Sequence, residues 1–494
     1  MAPRAILAAV AGIIAFTLVL IATEPPGPGL DPDAASYLGA AVSLVRHGSY
    51  RVPVTPWTAV DTTGLLAHFP PGFPTAIAGP IAVGFSPIQG ARLIIALAAF
   101  ATAVLLALLV DGPAALAAIV LAGVTPAITT VHLSVLSEPL FLALLLATMM
   151  ACLARRPGVT GLLAAAAVMV RYIGLSLTAA TVIWFLRQPG SWRRRLQQAA
   201  LAGLPSVVLL GAWVTRSSRE AGPTSIREIG IYGSVSQTVG EGLSTIGDWL
   251  APASQGRWWR AMAIGVVVVA IGAVAVGAWR ALGQARGERR ADTIEVDTIE
   301  LAGIVGGLYL VMLVVSRVAA DPNIPFDERL LAPAILLAEI ALVVAATLWR
   351  RIGTPERWMR MAVGIVALVW VVASAAVSVS RVKEALADGG DFASSDWRFS
   401  PTLAWVRANA DGAALYTNWP AALYFHAGRN AHEVPRRLDP LTLRRFGDRL
   451  VRLRGIMVAF DAPNADAASP DSIASRLRLR QIARLADGAV WGPR

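Results

Sequence analysis

Ala5-Ile-Leu-Ala-Ala-Val-Ala-Gly-Ile-Ile-Ala-Phe-Thr-Leu-Val-Leu-Ile-Ala22 carries no charge and no proline. A polar loop follows, and after it Pro28-Gly-Leu-Asp31-Pro32-Asp33-Ala-Ala-Ser-Tyr37-Leu38-Gly-Ala-Ala-Val-Ser-Leu44-Val-Arg46-His47-Gly48-Ser-Tyr50. The first stretch has the length and composition of a membrane-spanning helix. It follows Arg4, and no small-residue cleavage site leads from it into a soluble chain, so it reads as an uncleaved span. The second stretch reads as a helix that begins at the membrane surface. Asp31 is placed as its N-cap, Pro32 takes the first helical position, and Gly48 ends it. Asp33, Tyr37, Ala41 and Leu44 share one face at helical spacing, with Leu38 and Val42 beside it, which predicts a helix lying along the membrane.

The rest of the chain repeats the first pattern. Of 494 residues, 56% are apolar and 15% charged, and the mean hydropathy is +0.60. A soluble domain has about 45–50% apolar and about 25% charged residues. A soluble enzyme, a disordered chain and a disulfide scaffold are thereby excluded, the last because Cys152 is the one cysteine. Further apolar segments fall near 92–110, 113–131, 138–154, 158–170, 173–186, 198–215, 261–279, 299–316, 330–349 and 361–380, which makes about eleven spans. Arginine clusters at 155–156, 187–195, 280–290 and 350–360 flank alternate loops, whereas loop 23–91 holds Arg46 and Arg51. The positive-inside rule then places the N-terminus in the cytoplasm and the C-terminus outside. Counting Pro74–Pro87 as a span would invert every later loop, so it reads as interfacial or re-entrant.

The expected fold is mainly α: a polytopic transmembrane helical bundle over 1–380, with 23–91 as its first extracytoplasmic loop and 381–494 as a small C-terminal α/β extracytoplasmic domain. Within that domain Ala413–Thr417 reads as a strand and Pro420–Ala427 as the start of a helix. The net charge is +11, and 42 of the 43 basic residues are arginine. These form cytoplasmic flanks rather than an aromatic-interleaved stripe, and the tail mixes 17 basic with 12 acidic residues, so nucleic acid is not an expected partner. No internal repeat and no Gly-x-x-x-x-Gly-Lys phosphate loop is present.

Downstream of the acidic helix comes His68-Phe69-Pro70-Pro71-Gly72-Phe73-Pro74, then Ser137-Glu138-Pro139-Leu140-Phe141, Val170-Arg171-Tyr172 and Glu328-Arg329-Leu-Leu-Ala-Pro333. Leu415-Tyr416-Thr417-Asn418-Trp-Pro420 and Leu423-Tyr424-Phe-His-Ala-Gly428-Arg429 follow in the tail. In this order the chain resembles the GT-C superfamily of integral-membrane glycosyltransferases, which includes the aminoarabinose transferases of lipid A, the protein O-mannosyltransferases and bacterial relatives.

The resemblance implies transfer of a sugar from a polyprenyl-phosphate donor to a glycan, lipid or protein acceptor, at the extracytoplasmic face of the plasma membrane. It puts the catalytic acid of the first loop at Asp33. That placement suits the chemistry: a hydroxyl is a weak nucleophile, and a carboxylate in reach accepts its proton as it attacks. Arg329 and Arg171 are the candidates to neutralise the leaving phosphate, with Glu138, Tyr37, His68 and Asp31 lining the pocket. Some relatives carry a lysine before the double proline; here Phe69 holds that place and His68 precedes it. A divalent metal is left open. Asp31, Asp33, His68, His132 and Glu138 would have to converge to hold one, and no i, i+4 histidine pair is present.

Two other functions fit a polytopic chain. A transporter or flippase calls for broken helices in matching halves and charges near the bilayer midplane, whereas the charges weighed above lie at span ends. An oligosaccharide ligase calls for its large loop mid-chain.

Overall fold

The computed structural model describes residues 2–494 apart from 111, 222–229, 231–233, 255, 288–293, 320–325, 354 and 465–466. Parts of the middle outer loop and of the 283–292 linker, with Arg289 and Arg290, therefore lie outside the described residues.

Every segment expected to span is helical. The chain begins with α1 (Ala2–Ala22) and α2 (Pro32–His47), passes through three two-residue strands, β1 (Arg51–Val52), β2 (Val54–Thr55) and β3 (Gly64–Leu65), and continues with α3 (Gly72–Ala82) and α4 (Pro87–Leu109). Then come α5 (Pro113–Val124), α6 (Pro126–Leu133), α7 (Glu138–Leu153), α8 (Pro157–Val170), α9 (Gly174–Arg187) and α10 (Trp192–Ala221). The bundle closes with α11 (Val235–Leu250), α12 (Arg257–Gly287), α13 (Ile294–Ala319), α14 (Glu328–Arg351) and α15 (Arg357–Asp388).

Seven of these helices are long and apolar enough to cross a membrane, and α5 with α6 forms an eighth, bent by 59° at Thr125–Pro126. Pro126 has no N–H for the ladder, which accounts for the bend. The helices α7, α8 and α9 are shorter, at 14 to 16 residues. The chain is a multi-pass membrane protein. With 11 residues, or about 16 Å of rise, α3 is too short to cross and contains Pro80.

The C-terminal region is an α/β layer whose sheet borrows from the first loop. Strands β4 (Leu415–Thr417), β5 (Ala431–Glu433), β6 (Ile456–Phe460), β7 (Arg480–Leu485) and β8 (Gly488–Gly492) join β2 in the order β2-β5-β4-β6-β8-β7. The first four of these are parallel and the last two pairings antiparallel. The expected strand at 413–417 is β4, and the expected helix start is a short α turn (Pro420–Ala422) continued by a π turn (Leu423–Ala427).

Two polar links seal the loop to this sheet. Thr55 Oγ1 meets His432 Nδ1 at 2.8 Å, and the buried Arg449 donates to Tyr416 Oη at 2.9 Å and to the Ala59 carbonyl. This placement differs from the expected surface helix in one respect. Instead of lying on the membrane along one face, α2 is enclosed: Ala34, Ala35, Tyr37, Leu38, Ala40 and Ala41 are all buried. Its alanines and Gly39 admit close neighbours, and a Cβ at Gly39 would meet Pro53 Cδ at 2.4 Å.

Candidate active site

The candidate residues come from five separate parts of the chain, each fixed by a local cause. The segment before α2 is threaded between two others. Gly29 N–H donates to the Leu133 carbonyl (2.9 Å), Val135 N–H to Gly29 (2.9 Å) and Phe392 N–H to Leu30 (3.1 Å). Asp31 then caps α2, accepting from Asp33 N–H at 3.0 Å, and Pro32 occupies the first turn. At the other end Gly48 adopts φ +64° and donates to the Leu44 carbonyl, the left-handed stop expected of a glycine there.

Glu138 opens α7, where an acid suits the positive end of the helix. Arg171 stands in extended conformation in the break between α8 and α9. Arg329 is in the first turn of α14, behind the N-cap Asp327.

These parts meet around one guanidinium. Arg329 donates from Nε to Glu138 Oε1 (2.7 Å), from Nη1 to Asp31 Oδ2 (2.9 Å) and from Nη2 to Asp33 Oδ2 (2.8 Å). Arg171 Nη1 pairs with the other oxygen of Glu138 at 2.6 Å and donates to Ser137 Oγ at 3.0 Å. Glu138 is only 1% exposed, so two arginines compensate a carboxylate that has lost its water. Three acids around two guanidiniums leave the cluster one charge short of neutral if all ionise.

Burial, then the neighbouring Asp33, pushes the Asp31 carboxyl up to about 7, against the pull of Arg329.

Tyr37 lies under the cluster with its hydroxyl 3.4 Å from Ser137 Oγ, and burial raises its ionisation above the ordinary phenol range. Its ring packs against Phe69 (4.9 Å) and Phe73 (5.1 Å) of the Phe-Pro-Pro-Gly-Phe-Pro segment. His68 packs edge-on against Phe69 at 4.7 Å, so that segment presents its histidine one ring out from Tyr37. His132 is buried in α6 with Nδ1 on its own turn, 2.7 Å from the Ile128 carbonyl.

The acids flanking Arg329 serve other partners: Asp327 caps Leu330 N–H, and Glu328 takes Thr130 and Arg381. Among the described residues no group of three or more His, Cys, Asp or Glu is arranged to hold a metal ion. Asp31, Asp33 and Glu138 each turn an oxygen to Arg329.

Asp391 was not among the residues expected here. It sits at φ +47° beside Leu30, its carboxyl raised by burial and lowered by Arg329. A signal for it exists in Asp388-Gly-Gly-Asp391, two acids around paired glycines just past the last span. Ser137, which ties Tyr37, Glu138 and Arg171 together, was present only as part of a motif.

No protein-family model and no curated protein matches the sequence. Solved structures do. The crystal structure of ArnT from Cupriavidus metallidurans in the apo state superposes with a TM-score of 0.59 at 12% identity, covering 98% of this chain and 97% of that one. The same protein bound to undecaprenyl phosphate gives 0.57 at 13% identity with the same coverage. The Archaeoglobus fulgidus oligosaccharyltransferase in the apo form gives 0.48 at 12% identity over 92% of this chain and 69% of that one. The chain has the fold of ArnT, a membrane helical bundle roofed by a small α/β layer.

Proposed function

We propose that this chain is a membrane glycosyltransferase that moves a sugar from a polyprenyl-phosphate donor to an acceptor hydroxyl or amine on a glycan, lipid or protein at the extracytoplasmic face. The observation that carries the proposal is the meeting of Arg329 with Asp33, Asp31 and Glu138 at one end of the bundle, beneath the first loop. The fold adds support, because the ArnT structure that shares it was solved with undecaprenyl phosphate bound.

Asp33 is the general base. The acceptor oxygen attacks the anomeric carbon, its proton passes to Asp33, and the bond from that carbon to the phosphate oxygen breaks with its electron pair on the phosphate. In a single displacement the configuration inverts. Arg329 and Arg171 neutralise the departing phosphate in a site where low dielectric strengthens each charge. For this Arg329 must exchange a carboxylate for a phosphate oxygen. Asp31 is the partner to give up, since once protonated it holds Nη1 only as a neutral acid. Glu138 keeps both arginines aimed, and Tyr37 with the Phe69 and Phe73 rings forms the floor. His68 lines the approach, and the 381–494 layer shapes the acceptor side.

A prenyl tail gains about 0.8 kcal/mol per buried CH₂, so the donor stays in the bilayer and offers only phosphate and sugar to this pocket. Membranes containing the chain, incubated with labelled polyprenyl-phosphate pentoses and hexoses, test the reading. Label should move to a product that no longer partitions with the donor lipid, and no transfer from any of them would refute it.

A further inference from the structure

A second polar feature lies at the opposite end of α14, about 32 Å from Arg329 by helix rise. There α5, α12, α14 and α15 enclose an apolar groove of about 1280 Å³. Its walls include Val267, Ile271, Val343 and Trp370, and none of the residues around Arg329 lines it. Glu339, only 2% exposed, faces it, held by Thr125 Oγ1 (2.5 Å) and Trp249 Nε1 (3.2 Å) through Oε1, while Oε2 has no partner.

The mouth is strongly basic. Arg350 and Arg351 come from the last turn of α14, and Arg357 and Arg360 from the first turn of α15. Arg351 pairs with Glu295 at 2.8 Å, whereas Arg350, Arg357 and Arg360 pair with nothing among the described residues. Helix C-termini favour cations, which explains the α14 pair. The α15 pair follows the N-cap Glu356, whose carboxylate accepts from Trp358 Nε1 rather than capping the helix backbone, so the first-turn N–H groups of α15 lack a side-chain cap. An anion at this mouth would meet two helix-borne guanidiniums, a third across the turn and the free N–H groups of α15 together.

We propose that the groove binds an anionic phospholipid of the arginine-flanked leaflet, its phosphate among Arg350, Arg357 and Arg360 and its acyl chains along the groove towards Glu339. Basic pockets between spans on the cytoplasmic side are suited to such head groups. The apolar walls supply the chain contacts, and the charge selects anionic over zwitterionic lipid. Gly364 lines the same groove, and a Cβ built there meets nothing within 4 Å, so a side chain can begin there and project into the groove.

The purified full chain in detergent is titrated with phosphatidylglycerol or phosphatidylethanolamine, and retained lipid is read by native mass spectrometry. The wild type should prefer phosphatidylglycerol by about tenfold. The preference should disappear in Arg350→Gln/Arg357→Gln/Arg360→Gln and persist in the corresponding triple lysine variant. Gly364→Phe should lower retention with every arginine in place. Equal retention of both lipids by the wild type, an undiminished preference in the triple glutamine variant, or undiminished retention in Gly364→Phe would each overturn the proposal. None of these residues belongs to the Arg329 cluster, so the result stands apart from whether sugar transfer occurs.

Discussion

Asp33 and Arg329 are 296 residues apart in sequence and 2.8 Å apart in space, Oδ2 to Nη2. One belongs to the loop after the first span and the other to the start of α14, so the contact closes the bundle across nearly two thirds of the chain. It also holds the proposed base and the proposed phosphate ligand as an ion pair.

Removing Arg329 leaves Asp31 and Asp33 facing each other and Glu138 dependent on Arg171 alone. We expect Arg329→Gln to cost about 3–5 kcal/mol, the range for breaking a buried ion pair by deleting one partner. Arg329→Lys should recover only part of it, because an ammonium cannot reach three carboxylates in fixed directions as a fork does. Thermal melts in detergent check both; a melting temperature for Arg329→Gln within a degree of wild type would show that the cluster does not stabilise the fold.

Asp31 gives stability a pH dependence of defined sign. Its folded value lies near 7 against an ordinary 3.8, so between those values the folded chain binds more protons than the unfolded one. Its contribution is therefore favourable below about 4 and is lost as pH rises through 7. The melting temperature should fall from pH 5 to pH 8 by an amount that shrinks in Asp31→Asn. Identical slopes for the two proteins would place the ionisation elsewhere.

Gly72 of the Phe-Pro-Pro-Gly-Phe-Pro segment is required by contact rather than by turn geometry. A Cβ there would lie 2.4 Å from the Met169 carbonyl oxygen, backbone that cannot swing aside. Gly72→Ala must push α3 from the last turn of α8, two residues from Arg171, at a cost of about 1–3 kcal/mol. Melting and transfer activity should fall together, whereas Gly79→Ala, with open space at its Cβ, should leave both unchanged.

The contrast between residues 28–48 and 388–392 explains what was legible in the sequence. Asp31, Pro32 and Gly48 act within their own helix, so N-cap, first turn and left-handed stop follow from local chemistry. The spans are legible for the same reason, since each satisfies its backbone internally. Their count is less so: α5 and α6 bend at Pro126, and α7 to α9 are shorter than a membrane-crossing helix usually is.

The joining of β2 to β5 rests on two residues of loop, too few for a periodic signal. Asp391 is acidic through sequence but belongs to the cluster only because residues 29–30 thread beside it. Glu339 is a charge in the middle of an apolar run, outside the expectation that charges sit at span ends, and its Thr125 and Trp249 partners come from distant helices. Arg329 was expected at the site on its own. That it would hold three acids at once depends on a convergence of α2, α7 and α14 that no local pattern encodes.

The central claim is that Asp33 takes the acceptor's proton. Transfer from a labelled polyprenyl-phosphate sugar, measured in membranes with matched amounts of wild type, Asp33→Asn and Asp31→Asn, tests it most directly. Asp33→Asn should be slower by about 10²–10⁴-fold, with Asp31→Asn keeping measurable activity and a changed pH profile near 7. Full activity in Asp33→Asn, or its loss in Asp31→Asn alone, would contradict the account.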